Sequence, residues 1–357
     1  MRICYFADSE SIHTERWCRH FQALGHDIHL ITYKTKIIEG IKTYSVNTGK
    51  IDVSGGNWKV LLTFRQVRKL LKEIKPDVFH ALYATSYGIT GSLCRFHPYI
   101  ISSLGSDILI SPNKSTIYRK LLRFAFKRAD LVMVMADHMI PAAKSLGAAT
   151  NKIVALPFGI DQQIFNSENR KLPENQFVIT CTRNFEPIYN IPHLLKALQK
   201  VVGEIPEIHV NLIGAGSQKE ELVRMTEEFG LKSHVTFVGK LTQPEIAAYL
   251  NKSHVFVSLS LSDGNNISLN EAMACGTWNI VTDIPANHQW IREGENGFFV
   301  KIDDVDTLAE KLLKSRNEYH QLMEKAVVLN DQLLREKGIW QINMQKAEKL
   351  YLQLTNG

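Results

Sequence analysis

Short β-rich runs alternate with amphipathic stretches along nearly the whole chain, in two successive series. In the first, Ile3–Ala7, Ile28–Thr32, Val78–Ala81, Tyr99–Ser103, Leu131–Met135 and Ile153–Leu156 read as strands. Between them, His13–Leu24 places Trp17, Phe21 and Leu24 on one helical face and stops at Gly25. Leu61–Ile74 turns Val67, Leu70, Leu71 and Ile74 inward and is closed by Pro76. A polar stretch, Asn166–Gln176, interrupts the alternation. A second series begins with strand Phe177–Cys181 and runs through Val210–Ile213, Val235–Lys240 and Val255–Ser258, with helices from about Lys219 and over Pro244–Leu250. Repeated βα units imply a parallel sheet with helices on both faces. The fold class is α/β, with two Rossmann-like βαβ domains. At 357 residues the chain is long enough for both.

The expected boundaries are 1–165, a linker at 166–176, 177–335, and a long amphipathic helical tail at 336–357. No apolar run approaches the ~20 residues that cross a bilayer. Met1–Ala7 reads as a strand and lacks the roughly 7–15-residue apolar core of a signal peptide. The five cysteines (Cys4, Cys18, Cys94, Cys181, Cys275) are scattered and form no Cys-x-x-Cys pair. That pattern argues for a reducing, cytoplasmic setting and against a zinc site or a disulfide framework.

The formal net charge is +6, but its distribution is uneven. Residues 1–165 hold 22 Lys+Arg and 12 Asp+Glu, and the remainder holds 20 and 24. The excess of cations in the first half points to an anionic partner. No helix-turn-helix, zinc-finger or RNP-like pattern accompanies it, so nucleic acid is set aside. The stretch Ile117–Arg128 repeats Arg119, Arg123 and Lys127 at helical spacing, with Ile117, Leu121, Phe124 and Ala125 on another face. Such a helix either packs that apolar face inward or lies against an anionic, peripheral membrane surface.

The chemistry concentrates in Ser258–Gly276, which reads as a strand, a polar turn and a helix opening at Ser268. Asp263, Gly264, Asn265 and Asn266 break the apolar run. A turn feeding a helix N-terminus offers backbone N–H groups to an anion. Asp263 and Glu271 bracket the turn. A plainer reading is available: Ser268 and Glu271 fit a capping box, with Glu271 bonding back to Ser268. Elsewhere, Val210–Gly216 runs into Gly214-x-Gly216, a turn that glycines serve for conformation alone or for close approach to a ligand. The loop Asp8–His13 has no glycine, which makes a dehydrogenase fingerprint unlikely there. Ser9, Ser11 and His13 are left as polar contacts or as a solvated loop.

Asp263-x7-Glu271, with Glu-Ala-Met-Ala-Cys-Gly276 and the run Asp283–Val300, resembles the acidic pair and following segment of retaining GT-B-fold glycosyltransferases of family GT4. The usual first acid is Glu, and Asp263 is one methylene shorter. Leu156-Pro-Phe-Gly-Ile-Asp161 with Phe165 is similar to the family's hinge signature, and Pro76–Tyr83 and Ser102–Asp107 to its first-half motifs. Three polar family residues are replaced: Leu82 and Leu104 stand where His is usual, and Tyr189 stands where Lys is usual. The resemblance covers most of the second half and parts of the first.

The resemblance implies two domains facing across a cleft, with the C-terminal helix returning to the first. It implies transfer of a hexosyl or N-acetylhexosaminyl group from a UDP- or GDP-linked nucleotide-sugar with retention, in cell-surface polysaccharide or glycolipid assembly. The donor is a substrate, and no cofactor is implied; metal ligands are set at none. Glu271 would bond the ribose and Asp263 a sugar hydroxyl. Arg183 and the backbone N–H groups of Asn265, Asn266, Ile267, Ser268 and Leu269 would meet the diphosphate, near Gly214 and Gly216. Asp107 would orient a hydroxyl or cap a helix with Ser106. His80, in a strand, reads as a satisfied core residue. The acceptor would be a glycan or a polyprenyl-diphosphate-linked sugar. The rivals are a non-catalytic nucleotide-sugar-binding scaffold of the same fold and a GT-B-fold epimerase. A phosphorylase is disfavoured by size.

Overall fold

The structure, a computed structural model, describes residues 1–49 and 58–356. It divides into two compact units, Met1–Pro157 with Met344–Gly357, and Phe158–Asn343.

The first unit is built on a seven-stranded sheet, β1 (Arg2–Phe6), β2 (Asp27–Thr32), β3 (Lys42–Ser45), β4 (Val78–Leu82), β5 (Tyr99–Ser103), β6 (Leu131–Val134) and β7 (Ile153–Ala155). Its order is β3-β2-β1-β4-β5-β6-β7, and every pairing is parallel. Parallel strands need helices on both faces, and β1, β4, β5 and β6 are near-continuous apolar runs for that reason. Strand β3, Lys-Thr-Tyr-Ser, was not anticipated; it is a polar edge strand without apolar alternation.

The helix Ile12–Ala23 buries Trp17, Cys18 and Phe21. Leu24 was expected inward and is 48% exposed, because the helix has ended before it. The helix Phe64–Ile74 buries Val67, Leu71 and Ile74, while Leu61 falls in a preceding 3-10 segment, Trp58–Thr63. In Thr116–Arg128 the packed residues are Leu122, Ala125 and Phe126. Ile117 and Phe124, expected on the packed face, stay outside at 69% and 39% exposure.

The helix Trp340–Asn356 supplies its last turns, from Met344, to the first unit. Tyr351 is fully buried there. Trp17 Nε1 donates to Tyr351 Oη at 3.0 Å, Tyr351 Oη lies 2.6 Å from His80 Nδ1, and His80 Nε2 lies 2.7 Å from Ser102 Oγ. A neutral imidazole satisfies this chain, with one ring nitrogen donating and the other accepting. Burial keeps it neutral by pushing the His80 pKa down to about 3. His80 is thus the satisfied core residue its strand position suggested.

The second unit holds β8 (Phe177–Cys181), β9 (Ile208–Ile213), β10 (Val235–Gly239), β11 (Val255–Ser258), β12 (Trp278–Thr282) and β13 (Gly297–Val300), all parallel, in the order β10-β9-β8-β11-β12-β13. Strand β13 lies within sequence that carried the family resemblance and β12 just ahead of it; neither was read as strand. The core packs Phe177, Ile179, Leu195, Leu198, Leu212 and Trp278. The segment read as a linker is built into this unit. Arg170 donates to the carbonyls of Leu250, Ser253 and Cys275 and to Tyr319 Oη, at 2.7–3.3 Å.

Candidate active site

In the second sheet the winding reverses between β8 and β11, so the loops leaving these two neighbours diverge and open a crevice at their carboxyl ends. Those loops are 182–190 and 259–266, and they carry Arg183, Tyr189, Asp263, Asn265 and Asn266. The topology alone therefore brings together residues about eighty positions apart.

Arg183 is the centre of the cluster, and only 8% of it is exposed. Its Nη2 donates to Asp263 Oδ2 at 2.7 Å and its Nη1 to Asn266 Oδ1 at 3.0 Å. The Tyr189 ring lies 4.2 Å from the guanidinium carbon, a cation–π distance. The Arg183 Nε–H is buried with no acceptor among the described residues. A buried donor without a partner costs about 1–3 kcal/mol, which an incoming anion would recover.

Asn266 locks the helix to this cluster. The helix is Ile267–Ala274, one residue earlier than expected, and Asn266 is its N-cap, accepting from Leu269 N–H at 3.2 Å. The same amide donates to Ser258 Oγ and to Asn287 Oδ1, at 3.1 and 3.2 Å. Neighbouring Asn265 is braced by Trp290 Nε1 and Gln289 Nε2, which donate to its Oδ1. Asn287, Gln289 and Trp290 were not singled out by the sequence. The signal was a polar residue, Asn287, inside a short apolar-flanked helix, Pro285–His288.

The capping-box reading of Ser268 and Glu271 is corrected: with Asn266 as the cap, Glu271 lies in the second turn. Its residue is 8% exposed, and its charge, after burial, helps push the Cys275 thiol up to about 12. The five backbone N–H groups are also not equivalent. Ile267 N–H donates to Asn265 O at 3.0 Å and Leu269 N–H is taken by the cap. The N–H groups of Asn265, Asn266 and Ser268 have no acceptor among the described residues.

Gly214 and Gly216 serve the Arg183 loop directly. A Cβ at Gly214 would lie 2.6 Å from Arg183 O, and one at Gly216 would lie 2.4 Å from Phe185 O. The absence of side chains lets β9's exit loop press against β8's exit loop, where Glu186 holds Ser217 N–H and Oγ at 2.9 and 2.6 Å. The glycines shape the site through the backbone of its arginine loop.

Asp107 belongs to the first unit and is fully buried. Its carboxylate accepts from the N–H groups of Ala84, Gly105 and Leu104 at 2.8, 2.9 and 3.3 Å. Burial raises its pKa, and the three N–H groups partly oppose the rise. The N-cap of the short helix Ser106–Leu109 is Gly105. Asp107 is therefore not the cap; its carboxylate ties the exit of β4 to the exit of β5. Beside it a cavity of ≈ 550 Å³ is lined by Tyr83, Ser106, Ile110, Lys114, Ile117 and Leu121. Tyr83 adopts φ 97°, a rare conformation for a bulky residue, at the wall of that cavity. Of the expected site residues, the structure gathers Arg183, Asp263, Asn265 and Asn266, with Gly214 and Gly216 behind them, and it sets Asp107 in the other unit.

Comparison with known proteins agrees with this division. Residues 2–136 match the glycosyl transferase 4-like family model, and residues 162–327 match that of the glycosyl transferases group 1. The phosphatidyl-myo-inositol mannosyltransferase of Mycolicibacterium smegmatis is 30% identical over 309 residues, covering 81% of this chain and 76% of that one. The N-acetyl-alpha-D-glucosaminyl L-malate synthase of Bacillus anthracis is 22% identical over 322 residues, 85% of this chain and 84% of that one. The crystal structure of Anabaena Alr3699/HepE in complex with UDP-glucose superposes with a TM-score of 0.81 at 17% identity, over 98% of this chain and 99% of that one. With its two parallel-sheet units and these matches, the chain belongs to the group 1 glycosyl transferases and is a GT4-type glycosyltransferase of GT-B fold.

Proposed function

We propose that this glycosyltransferase takes a hexosyl or N-acetylhexosaminyl group from a UDP- or GDP-linked donor and attaches it, with retention, to a glycan or lipid-linked acceptor. The observation that carries the reading is the buried Arg183 at the switch point of the second sheet, with an unfilled Nε–H beside the start of the helix Ile267–Ala274. In this reading the diphosphate sits against Arg183 and the N–H groups of Asn265, Asn266 and Ser268, where the helix dipole also favours negative charge. Glu271 takes the ribose hydroxyls and Asp263 a hydroxyl of the sugar.

The bond from the anomeric carbon to the diphosphate breaks with its electron pair going to the diphosphate oxygen. The acceptor hydroxyl oxygen bonds to the same face of that carbon, and its proton passes to the departing oxygen. Donors fixed in advance on the leaving group are the kind of contribution that supplies most of such a rate enhancement. The reading assigns no metal. Loss of transfer with EDTA and its return with Mg²⁺ would overturn that part.

The cavity beside Tyr83 and Lys114 suits an acceptor with an apolar portion and an anionic group, such as a polyprenyl-diphosphate-linked sugar. The basic helix Thr116–Arg128, with Ile117 and Phe124 outward, would bring the enzyme to an anionic membrane face in the cytoplasm. Among the described residues no helix is long and apolar enough to cross a membrane. Flotation that does not depend on anionic lipid would remove the membrane part.

The central test is calorimetry of UDP- and GDP-sugars with the wild type and Glu271→Ala. One donor that binds the wild type and binds the variant much more weakly is expected. Equal binding by both would take Glu271 out of the site. Stoichiometric binding without turnover would favour the scaffold reading instead.

A further inference from the structure

We propose that Asp263 is a displaceable counter-ion for Arg183, and that Tyr189 is the positioning residue that holds the guanidinium when the carboxylate leaves. The inference rests on the nucleotide-donor reading of this site. Of the groups around Arg183, two are anchored and one is not. Asn266 cannot withdraw, because its oxygen also caps Leu269 and its amide is bonded to Ser258 and Asn287. Tyr189 ends a 3-10 turn, Pro187–Tyr189, whose Ile188 carbonyl accepts from Leu261 N–H at 2.8 Å and whose Tyr189 N–H bonds Glu186 O at 2.9 Å. The backbone that carries its ring is thereby held between the two loops of the switch point.

Asp263 makes no hydrogen bond or ion pair other than that to Arg183 among the described residues. It sits in an irregular turn next to Gly264. A diphosphate offers more charge and more acceptor oxygens than one carboxylate, and it can fill both the Nη2 vacated by Asp263 and the unpartnered Nε. The carboxylate, repelled by the arriving diphosphate, is then free for a sugar hydroxyl. Asp263 would therefore engage the sugar only once the diphosphate is seated. The exchange needs a guanidinium that stays in place without its counter-ion, and the Tyr189 face at 4.2 Å supplies that hold. At the position where the family usually has a second cation, this chain thus has a ring that steadies the first.

UDP titration calorimetry at fixed ionic strength tests both parts on the full chain, with thermal melting to check the fold of each variant. Asp263→Asn is expected to bind UDP about tenfold tighter than wild type while slowing transfer, since it removes the competing charge. Asp263→Ser is expected to tighten UDP binding as well, and stands in if the Asn variant does not fold. Tyr189→Leu is expected to weaken UDP binding by about 2- to 30-fold, the range a cation–π contact converts to, whereas Tyr189→Phe keeps wild-type affinity. UDP binding to the Asp263 variants that is equal to or weaker than wild type would overturn the exchange. Equal losses in Tyr189→Phe and Tyr189→Leu would overturn the role of the ring. A wild type that binds none of UDP, GDP or ADP would overturn the donor reading beneath both.

Discussion

Each unit places a carboxylate at the exit of its central strands, and the two carboxylates have opposite fates. In the first unit Asp107 is enclosed and accepts from three backbone N–H groups. In the second, Asp263 is bonded to one side chain among the described residues, and that side chain still has a donor to offer. The strand-exit edge thus carries a brace in one sheet and, at the switch point, a reactive pair in the other. The difference is set by how many backbone donors surround the acid. A buried acid that is fully satisfied rigidifies its loops, and a partly satisfied pair leaves room for a ligand.

The contrast is broken most directly at Arg183. Arg183→Ala is expected to cut transfer by about 100- to 1,000-fold, the usual loss for one preorganised donor, with little change in melting temperature. Asp107→Ala is expected to do the reverse. It orphans three buried N–H groups and should lower unfolding free energy by about 3 kcal/mol, read by urea titration, while UDP affinity is unchanged. If Asp107→Ala leaves stability intact and abolishes transfer, the brace interpretation is wrong. Gly216→Ala lies between the two. Its Cβ would press on Phe185 O and on Glu186 Oε1, so we expect a loss of about 1–3 kcal/mol together with weaker UDP binding as the arginine loop shifts.

Acid sharpens the comparison from another side. Burial lowers the pKa of His80 to about 3 and of His13 and His254 to about 4, below their unfolded value of about 6.5. Above pH 6.5 each imidazole is neutral in both states and its contribution is intact. As pH falls from there toward 4, the unfolded chain takes up protons that the folded chain refuses. Stability then drops by about 1.4 kcal/mol per pH unit for each group. His13 and His80 belong to the first unit and His254 to the second. Hydrogen-exchange protection, taken relative to the intrinsic rate at each pH, should therefore fall more in β4 than in β8 between pH 7 and 5. The smallest effect is expected at an exposed pair: Arg19→Ala, which removes the bond to Glu15, should change stability by less than about 0.5 kcal/mol.

Strands such as Tyr99–Ser103 and Phe177–Cys181 were legible to the residue, because buried parallel strands are short apolar runs bounded by turns. The polar edge strand Lys42–Ser45 was not, since it has no apolar alternation and none of its residues is fully buried. Faces were harder than elements. The side of Thr116–Arg128 that packs differs from the one its apolar residues suggested, because tertiary neighbours chose Leu122 and Phe126. In the site, residue types and loops were readable, and pairing was not. The Asp263–Arg183 contact joins residues 80 apart, and the cap at Asn266 displaced an equally plausible one at Ser268. The bracing by Trp290 and Gln289 left no local pattern.

The buried Tyr351, bonded to Trp17 and His80, has a consequence for how the molecule is made. The first unit to emerge from the ribosome is the last to be completed. Its final core residue is synthesised roughly 10–40 s after Pro157, at about 5–20 residues per second, and in that interval the whole second unit has been made. During that time the pocket around Trp17 waits without its plug. A stop codon at Tyr351 would therefore injure the first unit and leave the second intact.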